Sequence, residues 1–186
     1  MGTINTYTAY HATDSKKVES IMANGFTYNK YKYHWLGNGV YFFLDKRLAI
    51  KWGENHSIQY GAIDDCSIIK VILDVDDDDL CDMRMLDTYC YVKEKFDKYM
   101  EVIASCNIKF KEVTYKKYCQ RVRCAFFDWL VKELNLKCII AYFSERKDTL
   151  PTKADNEDLF AQFRMPYMEI QVCVSDTSCI SFKEVV

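Results

Sequence analysis

Glycine and proline are scarce: six glycines and two prolines serve 186 residues. Positive-φ turns and rigid breaks are therefore few, and collagen-like, low-complexity and linker-rich architectures are excluded. No apolar run approaches the roughly 20 residues needed to span a bilayer, so no membrane partner is expected. The opening segment MGTINTYTAYH lacks the charged-then-apolar layout of a secretory signal, which predicts a cytoplasmic protein. No excess of one charge is present either: the formal net charge is -2, and only local patches could attract a polyanion. Among nine cysteines there is no CxxC pair, and the three histidines are not spaced near them as zinc ligands would be. No metal is expected, and an odd cysteine count without a signal predicts reduced, buried thiols.

What is present is a core. The hydrophobic fraction is 49% and the aromatic fraction 15%, enough for one folded domain over residues 1–186. Residues 3–11 alternate and are rich in Thr and Tyr, which predicts a first strand. Asp14 and Ser15 can cap a helix carrying Val18, Ile21 and Met22 at helical spacing, closed by Asn24-Gly25. A short apolar strand is expected over 40–44, a helix over 46–52 ended by Gly53, and a buried strand over 67–75. Residues 84–135 read as a helical insertion, with Tyr89, Val92, Phe96, Tyr99, Met100 and Ile103 in one stripe and a second stripe over 118–134. Strands follow over 138–143 and 168–174, separated by a polar loop over 144–158. The fold class is α+β, with a mixed, largely antiparallel sheet.

Three places could carry chemistry. In WLGNGVYFF, residues 35–43, Gly37 and Gly39 allow a tight turn into a strand bearing Tyr41, which reads equally as a plain turn and a core aromatic. His11, expected at the end of the first strand, is either a structural histidine or a ligand contact. On the last long strand, Glu169 and Gln171 project to one face while Met168, Ile170, Val172 and Val174 project to the other. Such a polar face belongs to an edge strand with a wet side or to a cleft.

Taken in order, the motifs His11-Ala-Thr13, Asn24-Gly-Phe26, Leu36-Gly-Asn-Gly-Val-Tyr-Phe42 and Glu169-Ile-Gln171 resemble the ADP-ribosyltransferase superfamily. The resemblance is to its diphtheria-toxin and poly-ADP-ribose-polymerase-like branch, marked by a His–Tyr–Glu or His–Tyr–Gln triad. It covers residues 10–43 and 169–180; residues 80–135 match no motif. It implies a split mixed sheet with flanking helices, and a mono-ADP-ribosyltransferase using NAD as co-substrate. His11 would bond a ribose hydroxyl of NAD. The backbone of Ala12, where many relatives have glycine, would hold the nicotinamide carboxamide, with Thr13 supporting the turn. Tyr41 would stack on the nicotinamide, with Gly39 giving clearance beside it. Gln171 falls at the third triad position, where many relatives have Glu, and Glu169 would activate the acceptor. The implied setting is a toxin or anti-phage effector with an antitoxin partner. The alternatives are an NAD glycohydrolase and a non-catalytic NAD- or ADP-ribose-binding module.

Breaking the nicotinamide–ribose bond develops positive charge on the ribose, so such a site should be clamped, dry and locally electron-rich. An acceptor, protein or nucleic acid, needs a base beside it. Residues 109–123, KFKEVTYKKYCQRVR, interleave cations with aromatics, as a solvated helix face or a nucleic-acid surface does.

Overall fold

Alternation along the strands places Ala9, Phe42, Ile69, Val71, Leu73, Ile140, Val172 and Val174 together, in the largest apolar cluster of the molecule. The computed structural model of the chain describes residues 2–60, 65–112, 114–144 and 168–186. In chain order the elements are β1 (Ile4–Asp14), α1 (Ser15–Asn24), β2 (Val40–Phe43), α2 (Lys46–Tyr60), β3 (Cys66–Asp76), β4 (Leu80–Asp82), α3 (Leu86–Ser105), α4 (Tyr115–Leu134), β5 (Cys138–Ser144), β6 (Met168–Val174) and β7 (Ile180–Val185). The strands form one seven-stranded sheet in the order β4-β5-β6-β2-β1-β3-β7. It is mixed: β4 and β5 run parallel, and the other neighbours are antiparallel. The expected α+β class is thus observed, with two helices inside 84–135.

The register reveals a weak joint. β1 pairs with β3 along its whole length, from Ile4↔Asp76 to Asp14↔Cys66. β2 pairs with β6 at all four of its residues. Between these two halves, β1 and β2 share the single pair Tyr10↔Phe43. One face of the sheet holds the large cluster, closed by Phe26 and by Ile21 and Met22 of α1. The opposite face has two separate covers. Leu48 and Ala49 of α2 pack on Ala12, Phe43 and Ile68. Val92, Phe126, Phe127 and Leu130 of α3 and α4 pack on Cys81, Ile139, Ala141 and Cys173. Strand β2 gives Phe43 to one cover and Tyr41 to the other, so the seam between them runs along it.

Local signals account for most element ends. The Asp14 side chain accepts from the Lys16 N–H at 3.0 Å, and Gly25, at φ 85°, ends α1. Thr114 caps α4 and left-handed Asn135 closes it. Four expectations need correction. β1 continues three residues beyond His11 because pairing with β3 continues that far. α2 runs through Gly53, whose missing Cβ lets the helix approach the Cys66 thiol and the Ala12 methyl. The acidic run Asp76–Asp79, which its composition alone marks as a solvated loop after a strand, is ordered: Asp77–Asp79 form a 3-10 turn, and Asp79 pairs with Lys137 at 2.7 Å. The thiols are all free, but Cys90, Cys106 and Cys119 are exposed on α3, α4 and their junction. The expected loop over 144–158 lies, from residue 145 onward, outside the described residues.

Candidate functional site

Gly37 adopts φ 82°, as the sequence suggested, while Asn38 stays outside the positive-φ region. What holds this turn is not local. Asp128 of α4 accepts from the Asn38 N–H at 2.7 Å and from its Nδ2 at 2.6 Å, and Asn38 Oδ1 accepts from the Tyr31 N–H at 2.6 Å. The glycines clear protein rather than ligand. A Cβ on Gly37 would lie 3.0 Å from Asp128 Oδ1, and one on Gly39 would lie 2.5 Å from the Val174 carbonyl oxygen. The clearance beside a cofactor that the resemblance implies for Gly39 is therefore already taken up by β6.

Tyr41 closes the same turn. Its hydroxyl accepts from the Leu36 N–H at 2.6 Å and donates to the Gly37 carbonyl at 2.8 Å. Burial first, and then the Cys173 thiol, push its pKa well above the ordinary phenol value, so it stays protonated. Its ring meets His34 edge-on at 5.5 Å. His34 is half-buried, and its Nδ1 has no hydrogen-bond partner.

His11 leaves β1 on the side of the large cluster, its ring 5.2 Å from Phe26 and 5.6 Å from Phe42. In an unbroken ladder, the pairs after Tyr10↔Phe43 would be His11↔Phe42 and Ala12↔Tyr41; β1 and β2 form neither. Instead His11 Nδ1 lies 2.7 Å from the Tyr41 carbonyl oxygen. A carbonyl only accepts, so Nδ1 carries the proton. Burial lowers the His11 pKa, against the raising effect of that hydrogen bond, which favours the neutral ring. Nε2 is then an unprotonated acceptor, suited to a hydroxyl donor. Ala12 is buried beneath α2, and the buried Thr13 stands opposite Ser67.

Glu169 and Gln171 are 3% and 4% exposed, and Gln171 Nε2 donates to Glu169 Oε1. The edge-strand reading fails: β6 lies between β5 and β2, with Gln171 opposite both Ala141 and Phe43. Tyr41 stands opposite Cys173, so it shares a sheet face with Gln171 and sits diagonal to it. Tyr41, Gln171 and Glu169 thus gather on one face. His11 projects from the other and reaches this group only through the Tyr41 backbone, at the parting of β1 and β2.

Sequence reasoning missed Asp128 and a second neighbour, Arg123. The Arg123 guanidinium lies 4.5 Å over the Trp35 ring, and Trp35 meets Phe143 edge-on at 4.9 Å. Phe143 is the partner of Glu169 across β5 and β6, so Arg123 stands at the rim of the same seam. Nε and Nη2 of Arg123 are buried without a hydrogen-bond partner. Helical spacing aligns Cys124 with Asp128, but nothing in one dimension points that helix at the glycine turn. Among the described residues no group of three or more His, Cys, Asp or Glu could hold a metal, and no helix is long and apolar enough to cross a membrane. No protein-family model, no curated protein and no solved structure matches the chain.

Proposed function

We propose that the chain is a mono-ADP-ribosyltransferase that cleaves the nicotinamide–ribose bond of NAD and passes ADP-ribose to a macromolecule. One observation carries the reading. Tyr41 and Gln171 share one sheet face beside the parting of β1 and β2, and His11, on the other face, bonds the Tyr41 carbonyl at that same point. The residue chemistry fits a dinucleotide. A neutral imidazole held by Nδ1 leaves Nε2 to accept from a ribose hydroxyl. Tyr41 offers a ring locked by its own hydroxyl, and an aromatic held still orients a leaving ring without further loss of freedom. The sealed Gln171–Glu169 pair puts an amide and a carboxylate where water is excluded, so their dipoles act at low dielectric on developing positive charge. NAD supplies the bond that breaks and the group that moves.

As a cytoplasmic toxin or anti-phage effector, such an enzyme would be held in check by an antitoxin protein. A second reading, NAD glycohydrolase, draws on the burial of Glu169 and Gln171, which leaves a bulky macromolecular acceptor less room than a single water molecule entering with the cofactor. The test is incubation with adenylate-labelled NAD and cell lysate, followed by protease or nuclease digestion. Label on a macromolecule supports transfer; free ADP-ribose alone supports hydrolysis. Intact NAD under both conditions overturns both and leaves a binding module. Gln171→Ala should abolish cleavage, whereas Glu169→Gln, which can keep the inter-side-chain hydrogen bond, should retain hydrolysis and lose transfer.

A further inference from the structure

Between α3 and α4 runs a groove of about 440 Å³, lined by Tyr89, Phe96, Met100, Tyr118 and Phe126 and by two cations, Lys93 and Arg123, with no carboxylate in its wall. Its volume and apolar lining suit a flat ring. At its mouth Tyr115 is 82% exposed and lies nearly parallel to Tyr118, their rings 18° apart in plane and 6.3 Å apart. An aromatic stack held open to solvent is a platform for another ring. Along residues 109–123 the charge is nearly of one sign: Lys109, Lys111, Lys116, Lys117, Arg121 and Arg123 stand against a single acid, Glu112, which Lys32 and Tyr33 already engage. On α3 the charges alternate, with Glu94, Asp97 and Glu101 beside Lys93, Lys95 and Lys98, so the asymmetry belongs to residues 109–123. Because the whole chain is net negative, this strip is a local feature. Arg123 lines the groove, and two of its guanidinium nitrogens are buried without an acceptor. A permanently charged group in that position calls for an anion.

We propose that this groove binds single-stranded nucleic acid, one base entering between α3 and α4 beside Tyr115 and Tyr118 while phosphates lie along the α4 cations. Duplex does not serve, because its bases are stacked and paired and cannot enter a groove of this kind. Arg123 lines the groove and also packs on Trp35 at the rim of the Tyr41 seam, so a bound strand leads to the candidate site. In this respect the inference rests on the transfer reading above: the nucleic acid is the acceptor. Binding itself does not depend on that reading and is measured without NAD.

The test is fluorescence anisotropy of the full chain with labelled 12-nucleotide single-stranded RNA, single-stranded DNA and duplex DNA. Either single strand should bind at least tenfold tighter than duplex, and the RNA and DNA arms identify which is preferred. Tyr115→Ala, at an exposed position that leaves the melt unchanged, should weaken binding about tenfold through the lost stack. Arg123→Gln should weaken it similarly, and Arg123→Lys, which keeps the charge but not the planar guanidinium over Trp35, should recover part of the loss. The Lys116→Gln/Lys117→Gln double variant should lower the slope of log affinity against log salt by about 1.4. Equal affinity for duplex, no binding, unchanged affinity in Tyr115→Ala, or displacement by poly-glutamate as efficient as by unlabelled oligonucleotide would each overturn the proposal. Oligonucleotide binding without NAD cleavage refutes the enzyme and keeps the groove; NAD cleavage without oligonucleotide binding does the reverse.

Discussion

At the scale of single residues, Tyr41 has two separable tasks. Its hydroxyl satisfies both the Leu36 N–H and the Gly37 carbonyl, and losing it leaves two backbone groups short of a partner. Tyr41→Phe should therefore cost about 1–3 kcal/mol in a urea titration while keeping the ring and NAD cleavage. Tyr41→Ala loses ring and hydroxyl together, so it lowers the melt as well as the activity. His11 carries a pH signature. Its folded pKa lies below the ordinary 6.5, so on acidification the unfolded chain takes up its proton first. Stability contributed by the neutral ring is present above about 6.5 and is lost as pH falls toward the depressed folded value. The thermal midpoint should drop between about pH 7 and 5, and His11→Asn should show a shallower drop. NAD cleavage should follow the same acid limb, because protonated Nε2 no longer accepts from a hydroxyl.

At the scale of elements, the glycine turn and α4 behave as one unit. Asp128 holds both polar groups of Asn38 on offer to it, and its removal frees the segment that Tyr41 closes. Asp128→Ala should cost about 2–3 kcal/mol in the same titration, since hydrogen bonds to a charged acceptor are the stronger kind. Asp128→Asn, which keeps one acceptor oxygen, should recover part of this. Helix α2 sets a second problem. Alanine is the better helix former by about 1 kcal/mol, yet Gly53→Ala drives a methyl into the Cys66 thiol and to 3.3 Å from the Ala12 methyl. The single change should destabilise, and pairing it with Cys66→Ala should restore most of the loss, a coupling that a double-mutant cycle reads directly.

At the scale of the molecule, the single pair between β1 and β2 is the place where the two halves of the sheet communicate. Amides along β1 and β3 should exchange slowly, while the β2 amides facing β1 exchange faster. NAD at about 100 times its Kd should add about 2.7 kcal/mol of stability and slow that exchange, and His11→Asn should abolish both effects. Element types were legible in the chain itself. β6 was readable from Met168 to Val174 because its two faces alternate cleanly, and α1 from its Asp14 cap and its glycine close. Both are local signals acting over a few residues. Strand β4 was not legible, since Leu80–Asp82 is too short to show a period and gains its pairing only from β5. Nor was the interior place of β6, because polar Glu169 and Gln171 look like a wet face until both neighbouring strands are counted. The candidate triad positions came from the resemblance to the ADP-ribosyltransferase motifs, which says nothing of their sidedness in this sheet. By itself the sequence determined the helices and most strands, because periodicity, caps and turn residues act at short range. Only the tertiary structure decided that His11 bonds the Tyr41 backbone from the opposite face, that Gly37 and Gly39 clear α4 and β6, and that Arg123 lies unpaired beside Trp35. Those are contacts between segments far apart in the chain, set by the sheet register and helix packing, and no local pattern encodes them.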